Sequence, residues 1–328
     1  MKIGVLCSGG DAPGMNPCLR AIVRAGDQYG DKIVGIRHGY QGILNGEFWG
    51  GTDRAVDVRE VSGWTSKGGA SFNSSRCDEM RTEEGIRQVV ENLRRYRFGA
   101  LVAIGGNGTL TGALEIAKRW EEGQVIGIPG TIDNDLLGTD YTIGFATAVK
   151  TGVDAVDKLR DTAGSHDMMF LVEVMGRDCG DLATAIAIAG GCELATIPET
   201  HTSIETIVEK LKRFKALGKK STIMIVAEGD EYGGAYKTME ALKKAGAPYE
   251  MRAVVLGHVM RGGSPVPLDR ILATRLGRFA VDALHLGESG KMVGEIAGKL
   301  TLTPLEEAVA AHKEVARELI ELLERVSV

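Results

Sequence analysis

No segment of the 328-residue chain approaches the ~20 consecutive apolar residues that a membrane span requires. The opening MKIGVLCSGGDAPG has too short an apolar run for a signal peptide and reads as a first β-strand. Cysteine is scarce. The five residues Cys7, Cys18, Cys77, Cys179 and Cys192 are odd in number and lack the paired spacing of a metal site, which fits a reduced, cytoplasmic protein. Excess positive charge is missing too: 39 Lys and Arg stand against 44 Asp and Glu, a formal net charge of −5. That balance argues against nucleic acid as the main partner. There is no GxxxxGK followed by Ser or Thr, so the chain is not a P-loop nucleotidase. Low-complexity tracts, long linkers and repeats of fixed period are also lacking.

What the sequence does have is glycine, 45 residues, much of it clustered at the ends of predicted strands. Hydrophobic content of 44% and charged content of 25% are ordinary for a soluble globular protein, and the length favours two lobes. Strand-like segments at 2–6, 32–37, 101–104, 125–129, 169–175, 221–228 and 253–257 alternate with helix-like ones near 15–28, 83–97, 143–160, 181–190, 203–217, 234–245 and 268–287. This βαβα order predicts an α/β fold of mostly parallel sheets with helices on both faces, which bind ligands at the carboxyl ends of their strands. The last segment, PLEEAVAAHKEVARELIELLERV, has apolar residues at steps of three and four and predicts one amphipathic docking helix. Residues 40–75 read as loop-rich.

Four segments look chemical. SGGDAPGMN (8–16) and GGNGT (105–109) are glycine turns between a strand and a helix, where main-chain N–H groups crowd a phosphate at the positive end of the helix. Tight packing alone also explains many such turns. PGTIDND (129–135) follows another apolar strand and places Asp133 and Asp135 two residues apart. One carboxylate suits a proton acceptor for a substrate hydroxyl, while the other orients it or helps hold Mg²⁺. GHVMRGGSP (257–265) puts His258 and Arg261 in one turn with Arg252 just upstream, a set suited to a second anionic group such as a sugar phosphate.

In order along nearly the whole chain, SGGDAPGMN, GGNGT, PGTIDNDLLGTDYTIGF, EVMGRDCGDLA, GGCE, AEG and GHVMRGGSPVPLDR closely resemble the bacterial ATP-dependent 6-phosphofructokinase family. The resemblance implies two similar lobes, each a mostly parallel sheet flanked by helices, with the active site in the cleft. On that pattern a larger nucleotide-binding lobe comprises 1–144 plus 257–308, and a smaller sugar-phosphate lobe 145–256 plus 309–328. It further implies glycolytic transfer of a phosphoryl group from ATP to fructose 6-phosphate, with Mg²⁺, in a cytoplasmic homotetramer, or at least a dimer. Gly10, Gly106, Asn107, Gly108 and Thr109 would hold the nucleotide, with Arg76 and Cys77 beside it and Arg76 reaching the transferring group. Asp133 would be the general base, supported by Thr131 and Asp135. Met175, Gly176, Arg177 and Glu228 would orient the sugar. His258 and Arg261 would grip the 6-phosphate, with Arg252 from a neighbouring subunit. Gly108 and Gly130, where pyrophosphate-using members carry Asp and Lys, would leave room for ATP. An effector site for ADP or phosphoenolpyruvate would use Arg20, Arg24, Arg160, Glu193 and Lys219.

Three positions depart from the pattern. Asn107 stands where the family has the aspartate that helps hold Mg²⁺, keeping an oxygen ligand but losing a charge. Met168 stands where an arginine would cross to the 6-phosphate, and losing such a contact costs about 1.5–3 kcal/mol, roughly 10- to 150-fold in affinity. Met260 replaces a glutamine. These changes leave open a catalytically weak regulatory or hetero-oligomeric paralogue, or a kinase of the same fold for a different sugar.

Overall fold

The computed structural model describes residues 1–326. Two compact units form: Met1–Thr147 with Arg261–His312, and Ala148–Met260 with the chain from Lys313 on. In chain order the elements are β1 (Lys2–Cys7), α1 (Met15–Tyr29), β2 (Lys32–Ile36), α2 (Tyr40–Asn45), α3 (Glu83–Arg95), β3 (Ala100–Gly105), α4 (Asn107–Arg119), β4 (Gln124–Thr131) and β5 (Ile143–Gly144). There follow α5 (Phe145–His166), β6 (Met168–Val174), α6 (Asp181–Ala189), β7 (Leu194–Thr196), α7 (Ile204–Ala216), β8 (Thr222–Ala227), α8 (Ala235–Lys244) and β9 (Glu250–Val255). After a tight turn at Gly257–Arg261 come α9 (Pro267–His285), β10 (Lys291–Ile296), β11 (Lys299–Pro304), α10 (Leu305–Ala310) and α11 (Arg317–Val326). No helix among the described residues is long and apolar enough to cross a membrane.

In the first unit the strands lie in the order β11-β10-β4-β3-β1-β2, with β5 beside β4. Every pair is parallel except β10 with β11. Strands covered on both faces are continuous apolar runs, not alternating ones, and every residue of β3 is buried. Leu101 and Ala103 pack with Val89 and Leu93 of α3 and with Leu110 and Ala113 of α4. Thr82 starts α3 by accepting the Gly85 N–H on its hydroxyl at 3.1 Å, with Glu83 and Glu84 in the first turn and Arg94 and Arg95 in the last. Strand order reverses between β1 and β3. From β1 the chain steps outward to β2, and from β3 it steps the other way to β4, so a crevice opens at the carboxyl ends of β1 and β3.

The second unit has four strands in the order β7-β8-β6-β9, all parallel. Met169, Leu171, Met224 and Val226 pack there against Leu211 and Phe214 of α7. The Ser203 hydroxyl caps α7, accepting the Thr206 N–H at 3.2 Å.

Three departures from the sequence reading bear on the site and the C-terminus. The segment expected to form one C-terminal helix is two helices in different units. Ala311 between them is extended (φ −148°, ψ 160°), His312 pairs with Asp135, and the Lys313 carbonyl accepts the Cys179 thiol at 3.6 Å. These tertiary contacts outweigh helical propensity. Residues 291–304 form an unforeseen antiparallel hairpin, turning at Ala297 (φ 48°) and Gly298 (φ 76°), the left-handed pair that two-residue hairpins require. β9 begins at Glu250, so Arg252 lies inside a strand and not just upstream of one.

Candidate active site

The two glycine turns leave adjacent parallel strands and are tied together by one side chain. Ser8 donates its N–H to the Ile104 carbonyl at 3.1 Å, bringing the end of β1 against β3. Thr109, in the first turn of α4, donates its hydroxyl to the Ser8 carbonyl at 2.9 Å, while Tyr40 Oη donates to the Thr109 carbonyl at 2.6 Å. Thr109 also donates its N–H to Gly106 at 3.0 Å. Thr109, expected to touch phosphate, is thus hydrogen-bonded at its N–H, carbonyl and hydroxyl, and it staples the turns. Gly105 must be glycine, because a Cβ there would collide with Thr109 Oγ1 and sit 2.6 Å from the Ser8 carbonyl oxygen. The amides of Asn107 and Gly108 remain as first-turn donors of α4, where a helix attracts anions.

The room expected at both specificity glycines is present at only one of them. A Cβ on Gly108 meets nothing within 4 Å, whereas one on Gly130 would meet Ile104 Cγ2 at 2.9 Å and Met15 Cε at 3.2 Å. Gly130 is a packing residue of β4.

Three hydrogen bonds lay the segment before Arg76 along the first turn. Gly9 donates its N–H to the Ser75 carbonyl at 2.9 Å, and the Ser74 hydroxyl donates to the Gly9 carbonyl at 2.8 Å. Ser8 Oγ donates to the same Ser75 carbonyl at 3.2 Å. Arg76 is exposed and Cys77 half-buried, and burial above all pushes the Cys77 thiol up to about 11. The Arg261 guanidinium lies over Gly10, occupying the space a Cβ would need, and donates to the Asp11 carbonyl at 3.2 Å. Burial pushes the Cys7 thiol up to about 12 and also raises Cys18 well above its ordinary value, so both are protonated core residues.

The aspartate loop leaves β4 beside these turns: a Cβ on Gly106 would touch the Thr131 Cβ at 3.4 Å. Asp133 is 5% exposed and its N–H donates to Thr131 Oγ1 at 3.2 Å. Asn134, between the aspartates, is left-handed (φ 55°), which Asn tolerates better than most residues. Its Oδ1 accepts the Thr142 N–H at 2.9 Å and its Nδ2 donates to the Asp140 carbonyl at 3.3 Å, fixing the loop that carries both carboxylates. Asp135 Oδ2 lies 3.2 Å from His312 Nδ1. Its Oδ1 is buried without a hydrogen-bond partner among the described residues. A hidden carboxylate oxygen lacking a donor is costly and suits a cation. No cluster of three or more His, Cys, Asp or Glu fit for a metal exists among the described residues.

The remaining expected residues belong to the second unit. Gly176 (φ 141°) and Arg177 (φ 53°) are both left-handed. The Arg177 N–H donates to Glu228 Oε1 at 2.8 Å, joining the loops after β6 and β8. Met175 is buried, and its N–H contacts Met260 Sδ at 3.4 Å, which gives Met260 a packing role of its own. His258 is exposed on the Gly257–Arg261 turn. Arg252 pairs with Glu250 at 2.7 Å. Met168 is 9% exposed at the start of β6.

Of the residues expected to form an effector site, three meet. Glu193 Oε1 lies 3.2 Å from Arg160 Nη1 and 3.0 Å from Lys219 Nζ. Arg20 and Arg24 are on α1 in the first unit. There burial, then the like charge of Arg24, lowers the Arg20 pKa, and Arg20 Nε is buried without a hydrogen-bond partner among the described residues. Sequence reasoning passed over Tyr40, Asn134 and His312. Only Asn134 carried a signal, being an Asn between two candidate aspartates.

Comparison with known proteins identifies the family. A sequence model of the family described as Phosphofructokinase matches residues 2–284. The chain is 47% identical over 322 residues to the ATP-dependent 6-phosphofructokinase 1 of Thermus thermophilus, covering 98% of each. It is 44% identical to the ATP-dependent 6-phosphofructokinase 2 of Bacteroides thetaiotaomicron, covering 99% of this chain and 98% of that one. Among solved structures, phosphofructokinase from Saccharomyces cerevisiae superposes with a TM-score of 0.86 at 34% identity, over 99% of this chain and 47% of that one. The protein described here belongs to the phosphofructokinase family.

Proposed function

We propose that the protein transfers the terminal phosphoryl group of ATP to the 1-hydroxyl of fructose 6-phosphate, yielding fructose 1,6-bisphosphate and ADP, as a glycolytic enzyme of the cytoplasm. The observation that carries this reading is the pair of glycine turns at the strand-order switch, stapled by Thr109, with the buried Asp133 at the end of the next strand. The 47% identity to a relative named an ATP-dependent 6-phosphofructokinase supports the same donor and acceptor.

On this reading the nucleotide phosphates rest on the amides of Gly10, Gly106, Asn107 and Gly108 at the positive end of α4, with Arg76 and Cys77 alongside. Asp133 takes the proton of the sugar hydroxyl as its oxygen bonds to phosphorus and the bond to the bridging oxygen of ADP breaks. Thr131 holds the loop of Asp133, and Asp135 orients it. Arg76 and Arg261 keep two anions together against their repulsion. Met175, Gly176, Arg177 and Glu228 orient the sugar, His258 and Arg261 hold its 6-phosphate, and Arg252 assists from a neighbouring copy. Mg²⁺ entering with ATP would be held by Asn107 and by Asp135, whose Oδ1 lacks another partner. The ion supplies charge neutralisation on the phosphates. ADP or phosphoenolpyruvate would act through Arg20, Arg24, Arg160, Glu193 and Lys219 in a homotetramer.

Initial rates with fructose 6-phosphate and either ATP or pyrophosphate, both with Mg²⁺, test the reading. Turnover with ATP and little with pyrophosphate is expected. The reverse order, or turnover only with another sugar, would refute it.

A further inference from the structure

Asn16 ends the first glycine motif, SGGDAPGMN, and none of the roles above uses it. It stands second in α1 and is 2% exposed. An amide near a helix start commonly bonds to the main chain around it. The bonds of Asn16 go instead to a loop 51 to 55 residues further along. Its Nδ2 donates to the Lys67 carbonyl at 3.3 Å and to the Gly68 carbonyl at 2.9 Å, and its Oδ1 accepts the Ser71 N–H at 2.7 Å. One side chain thus pins both ends of residues 67–71 to α1.

The same loop meets the segment that follows Arg261. The Ser264 hydroxyl donates to the Ser66 carbonyl at 2.9 Å. Gly68 comes so near that a Cβ on it would fall 2.2 Å from the Gly263 carbonyl oxygen, an approach that glycine alone permits. Arg261, two residues before Gly263, reaches back over Gly10 and donates to the Asp11 carbonyl at 3.2 Å. Asn16, the loop, Gly263, Arg261 and Asp11 therefore close a ring within the first unit. Arg261 contributes a long, flexible arm to that ring, so the main chain at its root decides where the guanidinium lies.

We propose that Asn16 is a positioning residue for Arg261. By pinning residues 67–71 against Gly263 it fixes the main chain that carries the arginine, and with it the guanidinium over the first glycine turn. The inference rests on the reading that Arg261 holds the 6-phosphate of the sugar. A cation already in place has less freedom to lose when its anion arrives, so binding is tighter. Asn16 acts through Arg261 alone and touches neither substrate.

Steady-state kinetics of Asn16→Ala and Gly68→Ala, with fructose 6-phosphate and ATP varied in turn, test this. Gly68→Ala drives the loop off Gly263 without touching Asn16, so it carries the test if Asn16→Ala does not fold. Asn92→Ala is the control. The Asn92 Nδ2 of α3 donates to the Ile43 and Leu44 carbonyls at 3.0 and 3.3 Å, an amide clamp of the same kind with no tie to Arg261. Both loop variants should raise the KM for fructose 6-phosphate about five-fold or more, with kcat and the KM for ATP within about two-fold. Asn92→Ala should lower the thermal midpoint and leave both KM values within about two-fold. An unchanged KM for the sugar phosphate in either loop variant that folds overturns the inference, and so does an equal rise in Asn92→Ala. Absence of turnover by the unmodified protein would instead defeat the reading of the site, and the inference with it.

Discussion

Gly10 and Gly105 sit in neighbouring turns, yet a methyl group would meet different matter at each. At Gly10 it meets the far end of a flexible arm, the Arg261 guanidinium, and at Gly105 it meets Thr109 and the Ser8 main chain. Gly10→Ala should therefore leave the thermal midpoint almost unchanged while weakening substrate affinity, since Arg261 must move. Gly105→Ala should cost about 1–3 kcal/mol of stability, because backbone cannot step aside. Denaturant titration and steady-state kinetics on both variants separate the two effects. Equal destabilisation of both would mean that the turns are not stapled as described. The glycines were legible in the sequence as strand-to-helix turns because strand, glycine and helix signals follow in order. The staple was not, because a hydroxyl reaching a carbonyl 101 residues away leaves no local pattern.

Between elements, Asp269 in the first turn of α9 is the main tie to the start of α5. Its carboxylate accepts the Gly144 N–H at 2.9 Å, the Thr147 N–H at 2.7 Å and the Thr147 hydroxyl at 2.5 Å. Burial still outweighs these bonds and raises its pKa above the ordinary 3.8. A carboxyl whose pKa is raised by folding gives its stabilisation in full below the unfolded value and loses it as pH climbs through the folded one. The difference in unfolding free energy between Asp269→Asn and the unmodified protein should therefore change with pH as pH rises above about 4. A constant difference would show that Asp269 does not change its proton binding on folding. At this scale the sequence was a good guide to strands and helices buried on a regular period. It misled at the C-terminus, where the apolar spacing of 304–326 continues through a break held by His312 and Lys313 contacts. Hairpin β10–β11 was missed because its turn uses Ala297, a residue without turn preference, beside Gly298.

At the scale of the molecule, family membership follows from motifs spread over both units, and long-range order in the sequence carried it. The chemistry rests on a shorter stretch. Asp133, Asn134 and Asp135 form a loop whose middle residue holds Thr142 and Asp140, and on the proposed reading its neighbours serve the reaction. Single-turnover phosphoryl transfer by Asp133→Asn, with ATP affinity measured on the same preparation, tests that account most directly. The account predicts a chemical step slowed by about 10²–10⁴-fold with ATP affinity within about two-fold of the unmodified protein. A chemical step of unchanged rate, or a loss of ATP binding matching the loss of rate, would contradict it.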